Sequence, residues 1–443
     1  MNDKIKENIK KIIGKHSNHK LAIDLFLQDI KKKNEVMVTV DQLKYLKYEE
    51  KIEVVRTGTH IGQRKLFLNE VQFLTMAPEC KYCIYAGSAP GNKTHFLSLL
   101  FPDIKFILID PNRFDMMLPD KHSHRITKHK DIVHICSLYK YAGNSYLNKQ
   151  LRDMTNTEKK NVITFIKKSK HNIYVFEDYM DNEYSEFFKI LKDIIFISDV
   201  RTNSSEIDNL PHDIDICWNN VMMYNWITIL NPLYSMLKIR PLYGSKTLEM
   251  KDICKKDFDY AKKNGIDFYD NCKNNKLILS KGILYIQPWA GCSSAELRLC
   301  IKRKDISNLI DYNNNEVEGR MNYYNLLNRA WLLHKNNNVS KKINFCYCND
   351  CSLENLIWEQ YINKYKNVAN SLNLKSIHQC VELLGKMTNR PLTQIHTSPI
   401  WQSMSNVEVF NKAIQKGVEI KSIRYKKVSN KKFNKQLGNK GAV

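Results

Sequence analysis

The strongest constraint in the chain is the stretch Ile84-Tyr85-Ala86-Gly87-Ser88-Ala89-Pro90-Gly91, an apolar run that breaks into a glycine turn. Phe96, Leu97, Leu99 and Leu100 follow at helical spacing, and a second apolar run, Phe106 to Ile109, ends on Asp110. Strand, turn, helix and strand in that order open a βαβ unit with an acid at the tip of its second strand. A tight glycine turn lets backbone come close to a ligand, and a carboxylate at that tip can accept from both hydroxyls of a ribose. The spacing is not G-x-G-x-x-G, which disfavours a dinucleotide. Gly87-x-x-x-Gly91 with Asp110 beyond it suits S-adenosylmethionine better.

The pattern resumes downstream. Asn172 to Phe176 reads as a strand, Glu183 to Leu191 as a helix, and Ile194 to Ser198 as a strand ending on Asp199. A helix rich in Trp, Met and Tyr is expected from Asp213 to Leu237, bent or broken by Pro232, then a strand ending on Lys238. Leu277 to Pro288 and Ala295 to Ile301 read as a closing antiparallel pair. Helices alternating with strands that end on acids predict a doubly wound, Rossmann-like α/β fold with an antiparallel edge strand and helical additions at both ends.

Three organisational units follow. Residues 1–36 form an amphipathic helical extension, with Ile5, Ile9, Ile12 and Ile13 on one stripe; residues 37–386 form the main domain; residues 387–443 form a basic tail. Within the main domain, His122, His124, His129 and His134 lie among many lysines, so 114–170 reads as an insertion on the sheet's edge, its histidines solvated. Gly62 to Leu74 is a helix that carries Lys65 one turn before Asn69.

Charge narrows the function. The chain has 69 Lys and Arg against 46 Asp and Glu, a net +23, and is rich in aromatic residues. That balance points first to a polyanion such as nucleic acid. An AT-rich genome's preference for Lys, Asn and Ile is the bland alternative. No apolar run is long enough to span a bilayer, and the polar N-terminus is not a secretory signal. The 12 cysteines have no framework-like spacing, so reduced thiols are the default. Cys346-x-Cys348-x-x-Cys351 with Cys380, and Cys80-x-x-Cys83, could ligate zinc, a reading that ranks below ordinary reduced thiols.

Four ionisable groups sit at strand ends or their flanks: Lys65, Asp199, Lys238 and Glu296. Together with the glycine turn they fit a Lys-Asp-Lys-Glu tetrad. A ribose 2′-hydroxyl attacks a sulfonium methyl only if a base takes its proton. A lysine can do so when burial and a second cation pull its pKa down, with carboxylates holding both ammonium groups in place. No metal is required.

These residues resemble, in the same order, the poxvirus-type cap-specific mRNA (nucleoside-2′-O-)-methyltransferase family. That family also serves as the small, processivity subunit of the viral poly(A) polymerase. The matching segments are Gly62 to Glu70, Tyr85 to Gly91, Leu108 to Asp110, Ile197 to Arg201, Leu230 through Lys238, Gln287-Pro288 and Ser294 to Leu299. The similarity runs roughly from residue 40 to 370.

The resemblance implies methylation of the first transcribed nucleotide of m7G-capped mRNA, with Lys238 as base and Lys65, Asp199 and Glu296 steering it. It implies that Gly87, Gly91, Asp110, Arg113, Gln63, Tyr85 and Met180 hold S-adenosylmethionine. It also implies that Tyr243 and Tyr48 (or Tyr45) stack the methylated guanine while Glu318 reads its edge. Ser245 stands where the family has a second guanine-reading Asp, and Arg113 is displaced by one position. A poly(A) polymerase catalytic subunit is the partner so implied. The family's setting is a large DNA virus, with the protein in the virion and the host cytoplasm. Two other readings stand beside this one: a processivity subunit, with or without catalysis, and a 2′-O-methyltransferase for structured RNA.

Overall fold

The computed structural model describes residues 18–31, 36–49, 62–91, 93–114, 132–136, 149–202, 211–244, 249–250, 252–291, 294–329 and 349–387. The stripe Ile5 to Ile13, the histidines at 122, 124 and 129, Ser245, Cys346, Cys348 and the basic tail beyond 387 lie outside them.

Among the described residues ten strands form two sheets. They are β1 (Tyr82–Ala86), β2 (Lys105–Ile109), β3 (Ile132–Cys136), β4 (Ile173–Phe176), β5 (Ile194–Ser198), β6 (Tyr234–Ile239), β7 (Ile278–Ser280), β8 (Ile283–Tyr285), β9 (Leu297–Lys302) and β10 (Leu309–Asp311). The main sheet has the order β3-β4-β2-β1-β5-β6-β9-β8. From β3 to β6 every pairing is parallel, whereas β9 runs antiparallel to both β6 and β8. The doubly wound α/β expectation holds, with the antiparallel edge it included.

Strands buried on both faces read as near-continuous apolar runs, and the parallel strands do, with His134, Ser198 and Ser235 as buried polar exceptions. The period of two divides each between two cores. Ile84, Ala86, Ile107, Ile109 and Phe196 face one, with α4 (Asn156–Lys168), α5 (Asn182–Phe188), α6 (Asp213–Leu230), α7 (Asp252–Lys263) and α8 (Phe268–Lys273) supplying its cover. Cys83, Tyr85, Phe106, Leu108, Ile195 and Ile197 face the other, where α2 (Gly62–Met76), α3 (Thr94–Leu100), α10 (Asn349–Lys364) and α12 (Ile377–Met387) pack. The remaining helices are α1 (His19–Lys31), α9 (Asn314–Tyr323), which runs on into a π-helical turn, and α11 (Lys366–Ser371). No helix among the described residues is long and apolar enough to cross a membrane.

Four expectations are corrected. The span 114–170 is not merely an appendage, because it supplies β3 and α4. Ile132, Ile135, Val162 and Ile166 enter the cores, and His134 is buried rather than solvated. The five-residue strand was masked by the lysines and histidines around it. The helix expected to 237 stops at Leu230: Asn231 takes the left-handed conformation that closes helices, and Pro232 cannot continue one. Leu277 to Pro288 is two strands rather than one, and β7 leaves the main sheet to pair with β10. Finally, Cys217 of α6 and Cys272 of α8 form a disulfide, so the expectation of reduced thiols fails for that pair. Two buried helical cysteines 55 residues apart carry no spacing signal of that contact.

Candidate active site

In an open α/β sheet, ligands bind where the chain leaves one half of the sheet for the other. Here that point lies between β1 and β5. Ala86 and Ser198 are register partners, so Gly87 and Asp199 emerge side by side. The ladder continues one step beyond the strands: Gly87 N–H donates to Ile109 O at 2.9 Å and Asp199 N–H to Ala86 O at 3.0 Å. Gly87 has φ +76°, and a Cβ placed on it would lie 2.8 Å from Val200 N. Only glycine lets the turn pass the end of β5.

The four tetrad candidates converge on this edge. Lys65, in the first turn of α2, places Nζ 2.7 Å from Glu296 Oε1. Lys238, near the end of β6, lies 3.3 Å from Asp199 Oδ1 and 3.7 Å from Glu296 Oε2. Two arginines join them that the sequence reading did not single out. Arg298, directly opposite Lys238 in the β6–β9 ladder, reaches Asp199 Oδ1 at 2.7 Å and Glu296 Oε1 at 3.7 Å. Arg201 reaches Glu296 Oε2 at 3.4 Å.

Four cations around two carboxylates set the electrostatics. A unit charge pair near 3 Å is worth about 5 kcal/mol at an effective dielectric near 20, comparable with the several kcal/mol of desolvation per buried ion. For the carboxylates attraction wins. Burial would raise their pKa values, yet Arg298 and then Lys238 hold both Asp199 and Glu296 below the usual range. For Lys238 the balance tips the other way. Burial lowers its pKa, Asp199 and Glu296 oppose this, and Arg201 and Arg298 add to the lowering. An ammonium that gives up its proton more easily than usual therefore sits at the mouth of the turn.

Beside the tetrad lies a second charged group. Tyr85 OH donates to Glu70 Oε1 at 2.6 Å, and both side chains are buried. Burial pushes the Glu70 carboxyl up to about 7 and the Lys93 ammonium down to about 8, each partly restored by the other. Lys93 also bonds Gln63 Oε1. Asp110, at the tip of β2, accepts from Ala89 N at 3.1 Å through Oδ2 and from Asn112 N at 2.8 Å through Oδ1. A carboxylate oxygen has room for a further donor, so these bonds aim Asp110 without exhausting it.

The residues present fit S-adenosylmethionine. The Gly87 turn, which a Cβ would obstruct, Asp110 at the strand tip and the polar Gln63, Glu70 and Lys93 line one edge of the sheet. Gly91 has φ +66° within the same turn. Two candidates are placed differently: Met180 is buried in the core, and Arg113 is exposed, one residue past Asn112, whose side chain donates to Asp110 Oδ1.

Across β6 from the tetrad, Tyr243 is 56% exposed, with the Arg240 guanidinium 4.4 Å over its ring. Arg240 is itself held by Asp213 Oδ1 at 3.0 Å and by Pro211 O at 3.0 Å. Burial raises the Tyr243 phenol; Arg240 opposes this, and Glu318, Tyr48 and Asp213 add to it, so these groups lie near one another. Burial, reinforced by Asp213, raises the Glu318 carboxyl. Tyr45 lies against Gly319, where a Cβ would collide with its ring. Tyr45 is 38% exposed and Tyr48 45%.

Behind the site two buried ion pairs brace the β8–β9 connection. Arg64 bonds Glu354 through two nitrogens, and Glu354 Oε2 also accepts from Trp289 Nε1 at 2.8 Å. Arg329 Nε donates to Asp350 Oδ2 at 2.7 Å and Nη2 to Ala290 O at 2.6 Å. Asp350 and Glu354 lie one turn apart on α10. Among the described residues no group of three or more His, Cys, Asp or Glu could hold a metal; Cys351 and Cys380 are buried.

Comparison with known protein families matches residues 131–383 to the family described as the poly A polymerase regulatory subunit. The match covers more than half of the chain, and the chain belongs to that family. No curated protein matches it.

Proposed function

We propose that the protein transfers a methyl group from S-adenosylmethionine to the ribose 2′-oxygen of the first transcribed nucleotide of m7G-capped mRNA. The observation that carries this reading is the convergence of Lys65, Asp199, Lys238 and Glu296 at the switch point, with Lys238 Nζ 3.3 Å from Asp199 Oδ1. Bound S-adenosylmethionine supplies an electrophilic methyl at a sulfonium. Lys238, once neutral, takes the 2′-hydroxyl proton as the oxygen attacks. Asp199 and Glu296 keep its Nζ in place, and the surrounding cations stabilise negative charge developing on the oxygen. Gly87, Gly91 and Asp110 position the donor, and Gln63, Tyr85, Arg113 and Met180 are the remaining candidates for its pocket. Tyr48 and Tyr243 stack the charged guanine and Glu318 accepts from its edge. The excess of basic residues tracks downstream phosphates.

Family membership supports a role that need not exclude the first: a regulatory subunit bound to the catalytic subunit of a poly(A) polymerase. The test is methyl transfer from labelled S-adenosylmethionine to m7G-capped, G-capped and uncapped RNAs of one sequence. Transfer confined to the m7G-capped RNA is expected. Equal transfer to all three moves the protein to a general RNA methyltransferase, and RNA binding without transfer leaves the regulatory role alone.

A further inference from the structure

Gln287 follows β8 and is 1% exposed. Its amide nitrogen lies 2.8 Å from Glu296 O and 3.2 Å from Glu296 Oε1, and its amide oxygen 2.8 Å from Asn69 Nδ2. The polarity of this chain is dictated by chemistry. A backbone carbonyl and an ionised carboxylate only accept, so the atom of Gln287 facing them must be the NH2. Its oxygen is then turned toward Asn69, which must present its own NH2. Asn69 Oδ1 is left buried with no hydrogen-bond partner. A buried acceptor without a donor costs about 1–3 kcal/mol, so this orientation is retained against a stability cost.

Asn69 stands four residues after Lys65 on α2, on the same helix face. That helix therefore reaches Glu296 twice, directly through Lys65 and indirectly through Asn69 and Gln287. The two carboxylate oxygens are divided as a result. Oε1 takes Lys65 at 2.7 Å and Gln287 at 3.2 Å, with Arg298 at 3.7 Å. Oε2 is left for Arg201 at 3.4 Å and Lys238 at 3.7 Å.

We infer that Gln287, aimed by Asn69, is a positioning residue that fixes the rotation of the Glu296 carboxylate so that one oxygen faces Lys65 and the other faces Lys238. This rests on the methyl-transfer reading above. Gln287 reaches the reaction only through Glu296.

The experiment compares the full-length protein with Gln287→Met, Gln287→Glu, Asn69→Leu and the Asn69→Leu/Gln287→Met double variant. Gln287→Met is expected to lower kcat by roughly ten- to a hundredfold, the scale of an ångström-level misplacement, with KM for RNA and for S-adenosylmethionine within about twofold. The double variant is expected to be no slower than Gln287→Met, because the two residues act through one chain of bonds. Gln287→Glu keeps the bond from Asn69 but sets an anion against Glu296. It should move the ascending limb of the pH–rate profile, which reports Lys238, to higher pH, because added negative charge makes Lys238 hold its proton more tightly.

The second readout is independent of turnover: titration of Lys238 and Lys65 by NMR of side-chain-labelled lysine, assigned with Lys→Arg variants. A Lys238 titration that moves in the uncharged Gln287→Met variant supports the positioning role even if the wild type transfers no methyl group, in which case only the reaction reading falls. An unmoved Lys238 titration, or a kcat loss that merely follows a loss of folded protein, overturns the inference.

Discussion

Lys238 and Arg298 face each other directly across the β6–β9 ladder, and both reach the same oxygen of Asp199, at 3.3 and 2.7 Å. A lysine and an arginine side by side repel, and the carboxylate between them makes the arrangement stable. Arg298 thereby serves two ends. It keeps Asp199 ionised, and its charge adds to the burial that lowers the Lys238 pKa.

Arg298→Met should therefore do two separable things. Losing one member of a buried ionic group is expected to cost about 3 kcal/mol of unfolding free energy. Removing a cation beside Lys238 should also raise its pKa, so the limb of the pH–rate profile that reports Lys238 moves to higher pH. Urea unfolding and a pH–rate series check the two effects; an unmoved limb shows that Arg298 acts only as structure.

Glu70 has a pH signature of the opposite sense. Its folded pKa, raised to about 7 by burial, lies above the 4.5 of the unfolded chain. The folded state thus binds more protons between those values. The stabilisation from Glu70 is complete below pH 4.5 and is lost as pH rises through 7. Relative to Glu70→Gln, the wild type should lose roughly 3 kcal/mol across that window. Denaturation midpoints at pH 5 and pH 8 measure it, and a difference between the two proteins that is constant with pH refutes it.

Tyr45 and Tyr48 should separate cleanly. Tyr48→Ala is expected to weaken binding of an m7G cap analogue about tenfold, the low end of a lost base-stacking contact, with little change in stability. Tyr45→Ala removes a ring packed on Gly319 and should lower stability. Fluorescence titration and thermal unfolding of the two variants decide it; equal loss of cap binding in both contradicts the assignment.

The Arg64–Glu354 pair is a stability element. Glu354→Ala leaves the Arg64 guanidinium buried without its carboxylate and Trp289 Nε1 without its acceptor. A loss of about 3–5 kcal/mol is expected in chemical unfolding. A loss below 1 kcal/mol means water or another group takes over.

Much of this architecture was legible because its signals are local. The Gly87 turn and the Asp110 strand tip announce a βαβ unit by residue type alone. Pro232 marks where α6 must stop, although the exact last residue was set by Asn231 in the left-handed conformation. The tetrad was legible as four ionisable residues at element ends. What stayed hidden depends on contacts between distant segments. Arg298, Gln287 and Glu70 look like ordinary polar residues until the β6–β9 register and the packing of α2 bring them to the site. His134 looked solvated because its neighbours in sequence are basic, while its strand is buried by residues far away. The Cys217–Cys272 disulfide likewise depends on how α6 and α8 pack.

The central claim is that Lys238 is the base, and single-turnover methyl transfer to m7G-capped RNA by Lys238→Met tests it most directly. S-adenosylhomocysteine and cap-analogue binding are measured alongside to show an intact fold. The account predicts that binding is retained within about twofold while the rate at the 2′-oxygen falls at least a hundredfold, the scale of a lost general base. A Lys238→Met protein that methylates at the wild-type rate would contradict it.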